Sequence, residues 1–345
     1  MNPKQCGFVF PAEWHPHRAT WLSFPHTEAS WSQEKQELML PAYLEFIKTI
    51  SQGEKVCINA HNEWVQQSIR FRLLGAGVDM TQIELPLHAT NDSWCRDHGP
   101  GFLINPVTKE RLVLNWGYNA WGNKYPPYDR DDLIPVAIAH YLDLAVVTPG
   151  IIMEGGSVEF NGARTVLTSR ACLLNQNRNP HLSQAQIEQY LVDFYGVEQV
   201  LWVGDGIVGD DTDGHIDDTV RFVNVDTVLT VIEENKADDN YAILQENLRE
   251  LKQMRLLNGK QLNIVELPMP SPVVNDGLRL PASYANFYIS NAAVIVPTFR
   301  CANDQKAMDI IAACFPDRPT VGIDSTEIVW GLGSFHCLSQ QEPMI

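Results

Sequence analysis

The 345-residue chain is 45% hydrophobic and 19% charged, a balance that suits a folded soluble protein and excludes a disordered one. Its 25 Lys and Arg against 42 Asp and Glu leave a net charge of −17, which argues against nucleic acid and anionic membrane as partners. The acidity is compatible with a cationic small molecule, although excess acid also serves plain solubility.

The length allows one large domain or two ordinary ones. No low-complexity segment or linker breaks it, so residues 1–345 read as a single domain. The seven cysteines (Cys6, Cys57, Cys95, Cys172, Cys301, Cys314 and Cys337) are odd in number, scattered and without a Cys-x-x-Cys pair. That fits a reduced cytoplasmic protein and neither a disulfide framework nor a zinc site. The first eleven residues lack a basic region followed by an apolar run, so no secretory signal is expected, and no apolar run approaches the ~20 residues of a membrane span.

In chain order, residues 18–25 read as a buried strand and 33–51 as a helix with Pro41 in a first-turn position. Strand 56–60, helix 61–74 and strand 83–87 follow. Strand 113–116 precedes an aromatic, Pro-rich stretch over 117–128, then a helix over 131–143 and a short strand over 146–149. Ser183 can cap a helix over 183–195. Strand 200–203, helix 238–253, strand 262–267, helix 304–315 and strand 321–323 complete the pattern, with 328–330 as a further sheet segment.

A hairpin recurs among these elements. Residues 155–160 turn at Asn161-Gly162 and return over 165–168; Asn-Gly between two such runs is a strong hairpin signal. Residues 219–223 return over 227–230, residues 285–289 over 294–296, and residues 101–104 over 112–114. The fifth would join residues 335–338 to 21–24. Each hairpin precedes a helix and another strand, about every 50 to 70 residues, which points to a ring of five ββαβ units. The plainer alternative is a run of hairpins in an α+β protein.

The polar signals fall at the entry to each hairpin. They are Asn91-Asp92-Ser93-Trp94-Cys95-Arg96-Asp97-His98, Met153-Glu154-Gly155-Gly156, Gly209 to Asp218, Ser283-Tyr284-Ala285-Asn286, and Gly331-Leu332-Gly333-Ser334-Phe335-His336-Cys337. In a ring, equivalent positions converge, so Asp97, Glu154, His215, Asp217, Asn286 and Cys337 would share a central pocket. A thiol becomes a nucleophile as thiolate, and His215 can supply the acid–base partner. Three carboxylates suit a planar multi-donor cation such as a guanidinium. The implied reaction is attack by Cys337 on the guanidinium carbon, loss of ammonia and hydrolysis of the adduct by water that His215 activates.

Each signal has a plainer alternative. Asp92 and Asp97 can be turn or cap residues, Glu154 a solvated turn, and Cys337 a small hydrophobe on a last strand. The acidic run 209–218 fails the EF-hand pattern, and loop acidity accounts for Asp210, Asp211 and Asp213. His98 reads as local structure. His336 is set aside as the base because adjacent strand residues point to opposite faces. No His-x-x-x-His or Cys-x-x-Cys spacing supports a metal.

These stretches, together with Asn119-Ala120-Trp121-Gly122, Gly214-His215-Ile216-Asp217-Asp218 and His336-Cys337-Leu338-Ser339-Gln340-Gln341, resemble the agmatine deiminase family. That family groups with the Porphyromonas-type peptidylarginine deiminases in the guanidine-modifying (pentein) superfamily. The resemblance covers nearly the whole chain. It implies a five-bladed α/β propeller with Cys337 as nucleophile and His215 as acid and base. It further implies that Asp97 and Asp217 hold the guanidinium and that Glu154 supports His215. Agmatine would become N-carbamoylputrescine and ammonia, a step toward putrescine, with no metal or organic cofactor. Asp92 and Asn286 are further candidate substrate contacts. Trp94 and Trp121 are candidate walls for an aliphatic tail, unless they are core aromatics. The sequence departs from the family at Gly331-Leu332-Gly333-Ser334-Phe335 and at Asn123 to Tyr128, positions that bear on the substrate tail. The competing readings are a deiminase of peptidyl or free arginine and an inactive propeller that binds a cation. A homo-oligomer is compatible with the sequence, which does not fix one.

Overall fold

Hairpins, each followed by a helix and a parallel strand, build most of the chain, seen here in a computed structural model that describes residues 2–28 and 30–345. Gly101–Asn105 pairs antiparallel with Glu110–Leu114, which pairs parallel with Val146–Val147. Val158–Phe160, Thr165–Ser169 and Gln199–Val203 repeat that order. So do Val220–Phe222, Thr227–Ile232 and Asn263–Pro268, and again Tyr288–Ile289, Val294–Thr298 and Thr320–Asp324. The antiparallel step needs only a turn, whereas the parallel step needs a crossover, and helices supply it. Among the described residues these four sheets are joined by a four-stranded one that contains His17–Ser23 and by a two-stranded hairpin over 274–279.

Local chemistry sets these elements. Asn161 Oδ1 accepts from the amides of Ala163 and Thr165, and Gly162 takes a φ of +67°, which closes the turn. Helix Gln184–Tyr195 opens on a capping box between Ser183 and Gln186 and stops at Gly196, φ +72°. Helix Gln33–Ile50 buries Met39, Leu40, Tyr43, Phe46, Ile47 and Ile50 on one face, where they pack with Ile58, Trp94 and Phe335.

Three sequence expectations are corrected. Pro41 lies in the interior of helix Gln33–Ile50, not in its first turn; the buried face carries the helix through the missing amide. Residues Ile328–Gly331 form a 3₁₀ turn, not a sheet segment, and Leu332 follows at φ +72°, which extended backbone excludes. The strand that pairs with His17–Ser23 is Ser339–Pro343, while Phe335–Leu338 is one helical turn. All four residues of that turn are buried, so no polar alternation distinguishes it from a strand.

Candidate active site

The turn Phe335–Leu338 fixes the thiol. Leu338 N donates to Ser334 O at 3.1 Å, which closes it. Asn286 Oδ1 accepts from His336 N at 3.1 Å and Cys337 N at 3.3 Å, while Asn286 Nδ2 lies 3.0 Å from Cys337 Sγ and 2.9 Å from Asp218 Oδ1. One amide thus clamps both the backbone and the sulfur. Asp217 Oδ2 stands 3.5 Å from Sγ. Burial, then the charges of Asp217, Asp218 and Asp97, push the Cys337 thiol well above its ordinary range.

Asp97, His215 and Asp217 gather around Gly156. A Cβ at Gly156 would lie 2.6 Å from His215 Nδ1, 2.9 Å from Asp97 Oδ1 and 3.1 Å from Asp217 Oδ2, so only glycine leaves that space open. Asp97 accepts from Gly156 N and from Trp121 Nε1, each at 3.0 Å. His215 Nδ1 faces Asp97 Oδ1 at 3.7 Å, and Nε2 faces Glu154 Oε2 at 3.9 Å. Burial works against the imidazolium, but Asp97, contact with the Cys172 thiol, and Glu154 outweigh it and hold His215 well above its ordinary value. Burial lifts the Asp97 carboxyl to about 6, with Asp217 and Glu154 adding to the shift against His215 and the Trp121 bond.

A cavity of about 250 Å³ opens over Cys337 and Asp97. Trp94, Trp121, Tyr125, Trp330, Leu278 and Leu332 form its apolar walls. Trp94 is pinned by its Nε1 bond to Ser30 Oγ (2.9 Å) and by tilted packing on Trp31. Trp121 lies in a left-handed run, Ala120 to Asn123 at φ +50°, +54°, +86° and +65°, backbone strain of the kind found where a side chain must be aimed. Asp92, Asp211 and Asp276 stand at the wall; Lys124 pairs with Asp211 at 3.4 Å and Lys35 with Asp276 at 3.2 Å, and none of the described lining residues is itself a Lys or Arg. Burial lifts Asp92 to about 6 against bonds from Ser93 and Ser30.

All nine residues singled out from the sequence therefore line this cavity or the polar cluster beneath it. Sequence reasoning missed the layer below. His336 Nδ1 lies 2.7 Å from Asp217 Oδ2, and Nε2 lies 2.8 Å from Glu13 Oε2. Because residues 335–338 are a helical turn, the strand argument that aimed His336 away from the site fails. Buried Arg221 joins Glu13 (2.7 Å) to Glu159 (3.0 Å), and buried Arg178 holds Glu154 at 2.7 Å. A charged residue inside an apolar run, as in Thr219-Val220-Arg221-Phe222-Val223, was the available signal, since a buried charge requires a partner. Asp210, read as loop acidity, instead organises the turn into His215 by accepting from the amides of Thr212 and Gly214. His98 is structural as expected, buried and bonded to Ser23 Oγ at 2.9 Å.

Two donor groups have the spacing to hold a metal: Glu154, Cys172 and His215, and Asp217, Asp218 and Cys337. In the first, Glu154 is already ion-paired with Arg178, which disfavours a second cation.

Residues 9–343 match the family described as Porphyromonas-type peptidyl-arginine deiminase. A Legionella pneumophila protein, provisionally named an agmatine deiminase, is 37% identical over 342 residues, covering 99% of this chain and 96% of its own. Among solved structures, an agmatine deiminase of Enterococcus faecalis superposes with a TM-score of 0.92 at 33% identity, covering 99% of this chain and 98% of its own. A Cys-to-Ser variant of a C. jejuni agmatine deiminase with substrate bound gives 0.88 at 32% identity, covering 97% and 96%. The mixed α/β fold is common to all of them, and this chain belongs to the Porphyromonas-type peptidyl-arginine deiminase family.

Proposed function

We propose that the chain is an agmatine deiminase, which converts agmatine and water to N-carbamoylputrescine and ammonia. The observation that carries the substrate is the charge of the cavity. Asp97 and Asp217 stand beside the thiol and Asp92 on the cavity wall, whereas Asp211 and Asp276, further out, are ion-paired with Lys124 (3.4 Å) and Lys35 (3.2 Å), so the unneutralised acid lies close to the thiol. That distribution fits a substrate with a guanidinium at one end and an ammonium at the other. Free arginine would bring its carboxylate against those acids.

When the guanidinium binds, the Cys337 thiol releases its proton to solvent, and the thiolate Sγ attacks the guanidinium carbon and forms the S–C bond. His215 gives a proton to one nitrogen, and the C–N bond breaks to release ammonia. The thiouronium that remains is attacked by water, one proton of which passes to His215; as the S–C bond breaks the other passes to sulfur, returning the thiol and leaving the ureido product. Asp97 and Asp217 hold the guanidinium, Glu154 supports the imidazole, and Asn286 holds the nucleophile's turn. The bound cation offsets the carboxylates that keep the thiol protonated. Trp94 and Trp121 enclose the aliphatic tail, with Asp92 on the same wall.

We read residues 1–345 as one catalytic domain closed into a five-bladed α/β propeller. The support is that five units of like strand order each contribute to one cluster: Asp97, Glu154, His215 with Asp217, Asn286 and Cys337. We place the protein in the cytoplasm, on its scattered free cysteines and because no helix among the described residues is long and apolar enough to cross a membrane.

Incubation with agmatine, free arginine and an arginyl peptide, scoring ureido product and ammonia, tests the reading. Agmatine is expected to be turned over with the highest kcat/KM. A preference for arginine would overturn the substrate, and no turnover of any of the three would overturn the activity.

A further inference from the structure

Behind the imidazole lies a residue that touches neither the cavity nor Cys337. Arg178 is buried, and each of its three guanidinium nitrogens donates a hydrogen bond. Nε donates to Glu154 Oε1 at 2.7 Å. Nη1 donates to Asp213 Oδ2 at 2.5 Å and Asn177 Oδ1 at 2.6 Å, and Nη2 donates to Thr212 O at 2.9 Å. Two of those partners, Thr212 and Asp213, belong to the turn that delivers His215. That turn, held from within by Asp210, reaches the histidine through Asp213 at φ +67°, a left-handed conformation that costs a non-glycine residue energy, and Arg178 anchors it there from outside. Another partner, Glu154, keeps its other oxygen without a hydrogen bond among the described residues, 3.9 Å from His215 Nε2.

We propose that Arg178 is a positioning residue for the acid–base step: with one guanidinium it clamps both the carboxylate that faces His215 and the turn that carries His215. This rests on the reading of His215 as acid and base. A planar fork suits the task, because a lysine ammonium cannot reach Glu154, Asp213 and Thr212 O in one geometry. The fork also keeps Glu154 ionised: burial drives its carboxyl up, and the Arg178 charge, with His215, brings it below the ordinary value. The groups that face His215 are Asp97 from the turn Cys95–His98, Glu154 before the turn Gly155–Ser157, Cys172 from the turn Arg170–Leu173, and Asp210, Asp217 and Asp218 from its own segment. Arg178 acts on Glu154 and on the Cys172 thiol among them and not on the aspartates, so its removal should move the His215 titration only in part.

The test compares Arg178→Gln and Arg178→Lys with wild type by steady-state kinetics on agmatine, and by NMR titration of the His215 ring in a Cys337→Ala background. Arg178→Gln is expected to lower kcat roughly a hundredfold with KM within about threefold, and to move the His215 titration down, because Glu154, no longer held ionised by the guanidinium, takes up a proton and the imidazolium loses that opposite charge. Arg178→Lys is expected to restore the titration while kcat stays at least about tenfold low, separating charge from aim. Should Arg178→Gln fail to fold, the kcat of Arg178→Lys decides. Wild-type kcat and an unmoved His215 titration in either folded variant would overturn the proposal. So would a loss confined to melting temperature or to KM. His215→Ala separates this from failure of the parent reading, because full activity there would remove His215, and not merely Arg178, from the mechanism.

Discussion

Burial acts on Cys337 and Asp97 in the same direction and with the same consequence. The thiol is held protonated, and the Asp97 carboxyl is lifted to about 6, so below about pH 6 the free site carries less negative charge than its residue list implies. A guanidinium favours the ionised acid. Above about pH 6 Asp97 is already ionised, so binding takes no proton off it; below that, binding must first expel one. Affinity should therefore fall as pH falls, by about tenfold between pH 7 and pH 5 for Asp97 alone, and by up to about a hundredfold where Asp92, also near 6, faces the same cation. Calorimetric titration of agmatine into Cys337→Ser, which should bind without turnover, checks this across the range. A dissociation constant flat from pH 5 to 7 would contradict it. Asp97→Asn should weaken binding at neutral pH by about 3 kcal/mol, the usual cost of removing one partner of a buried charge pair. The candidate side chains were legible in the sequence because carboxylate, imidazole and thiol recur at hairpin entries. The residues that tune them, Arg178, Arg221, Glu13 and His336, were not. Their partners lie 24 to more than 300 positions away, and a buried ion pair leaves no local pattern.

At the scale of elements, the turn Phe335–Leu338 decides where the sulfur points, and the two glycines before it decide how closely the aromatic wall can approach. A Cβ on Gly333 would meet Trp94 Cζ3 at 2.5 Å and Cys337 Cβ at 3.0 Å. Trp94 cannot swing away freely, since Ser30 holds its Nε1 and Trp31 packs against its ring. Gly333→Ala should therefore displace either the wall or the nucleophile and lower kcat/KM roughly a hundredfold, with the melting temperature falling only a few degrees, as for other small overpacking changes. Activity at the wild-type level would show that the approach is looser than drawn. This element is also where sequence reasoning slipped. Gly and Ser before Phe-His-Cys-Leu fit a strand entry as well as a helical turn, and the choice is made by Asn286, some fifty residues away, whose Oδ1 collects two successive amides. Hairpins with their own turn chemistry, such as that at Asn161-Gly162, were legible because the information that closes them is local.

Over the whole molecule the excess of acid has two uses, solubility and attraction of the substrate, and composition alone does not separate them. The strand order does not depend on charge; it follows from apolar runs, turns and crossover helices, which is why the repeat was visible in the sequence. A net charge of −17 around a cavity walled by Asp92, Asp211 and Asp276 should raise the local concentration of a dication such as agmatine. Raising ionic strength from about 0.1 M to about 1 M shortens the screening length from about 10 Å to about 3 Å, which leaves the contacts at Asp97 intact and removes the long-range field. kcat/KM for agmatine should then fall roughly three- to tenfold while kcat holds, because the chemistry takes place behind the screen. Steady-state rates in sodium chloride, with a neutral osmolyte as control, make the measurement. If kcat/KM is indifferent to salt, the acidity of this chain serves solubility and the substrate is captured by the short-range contacts alone.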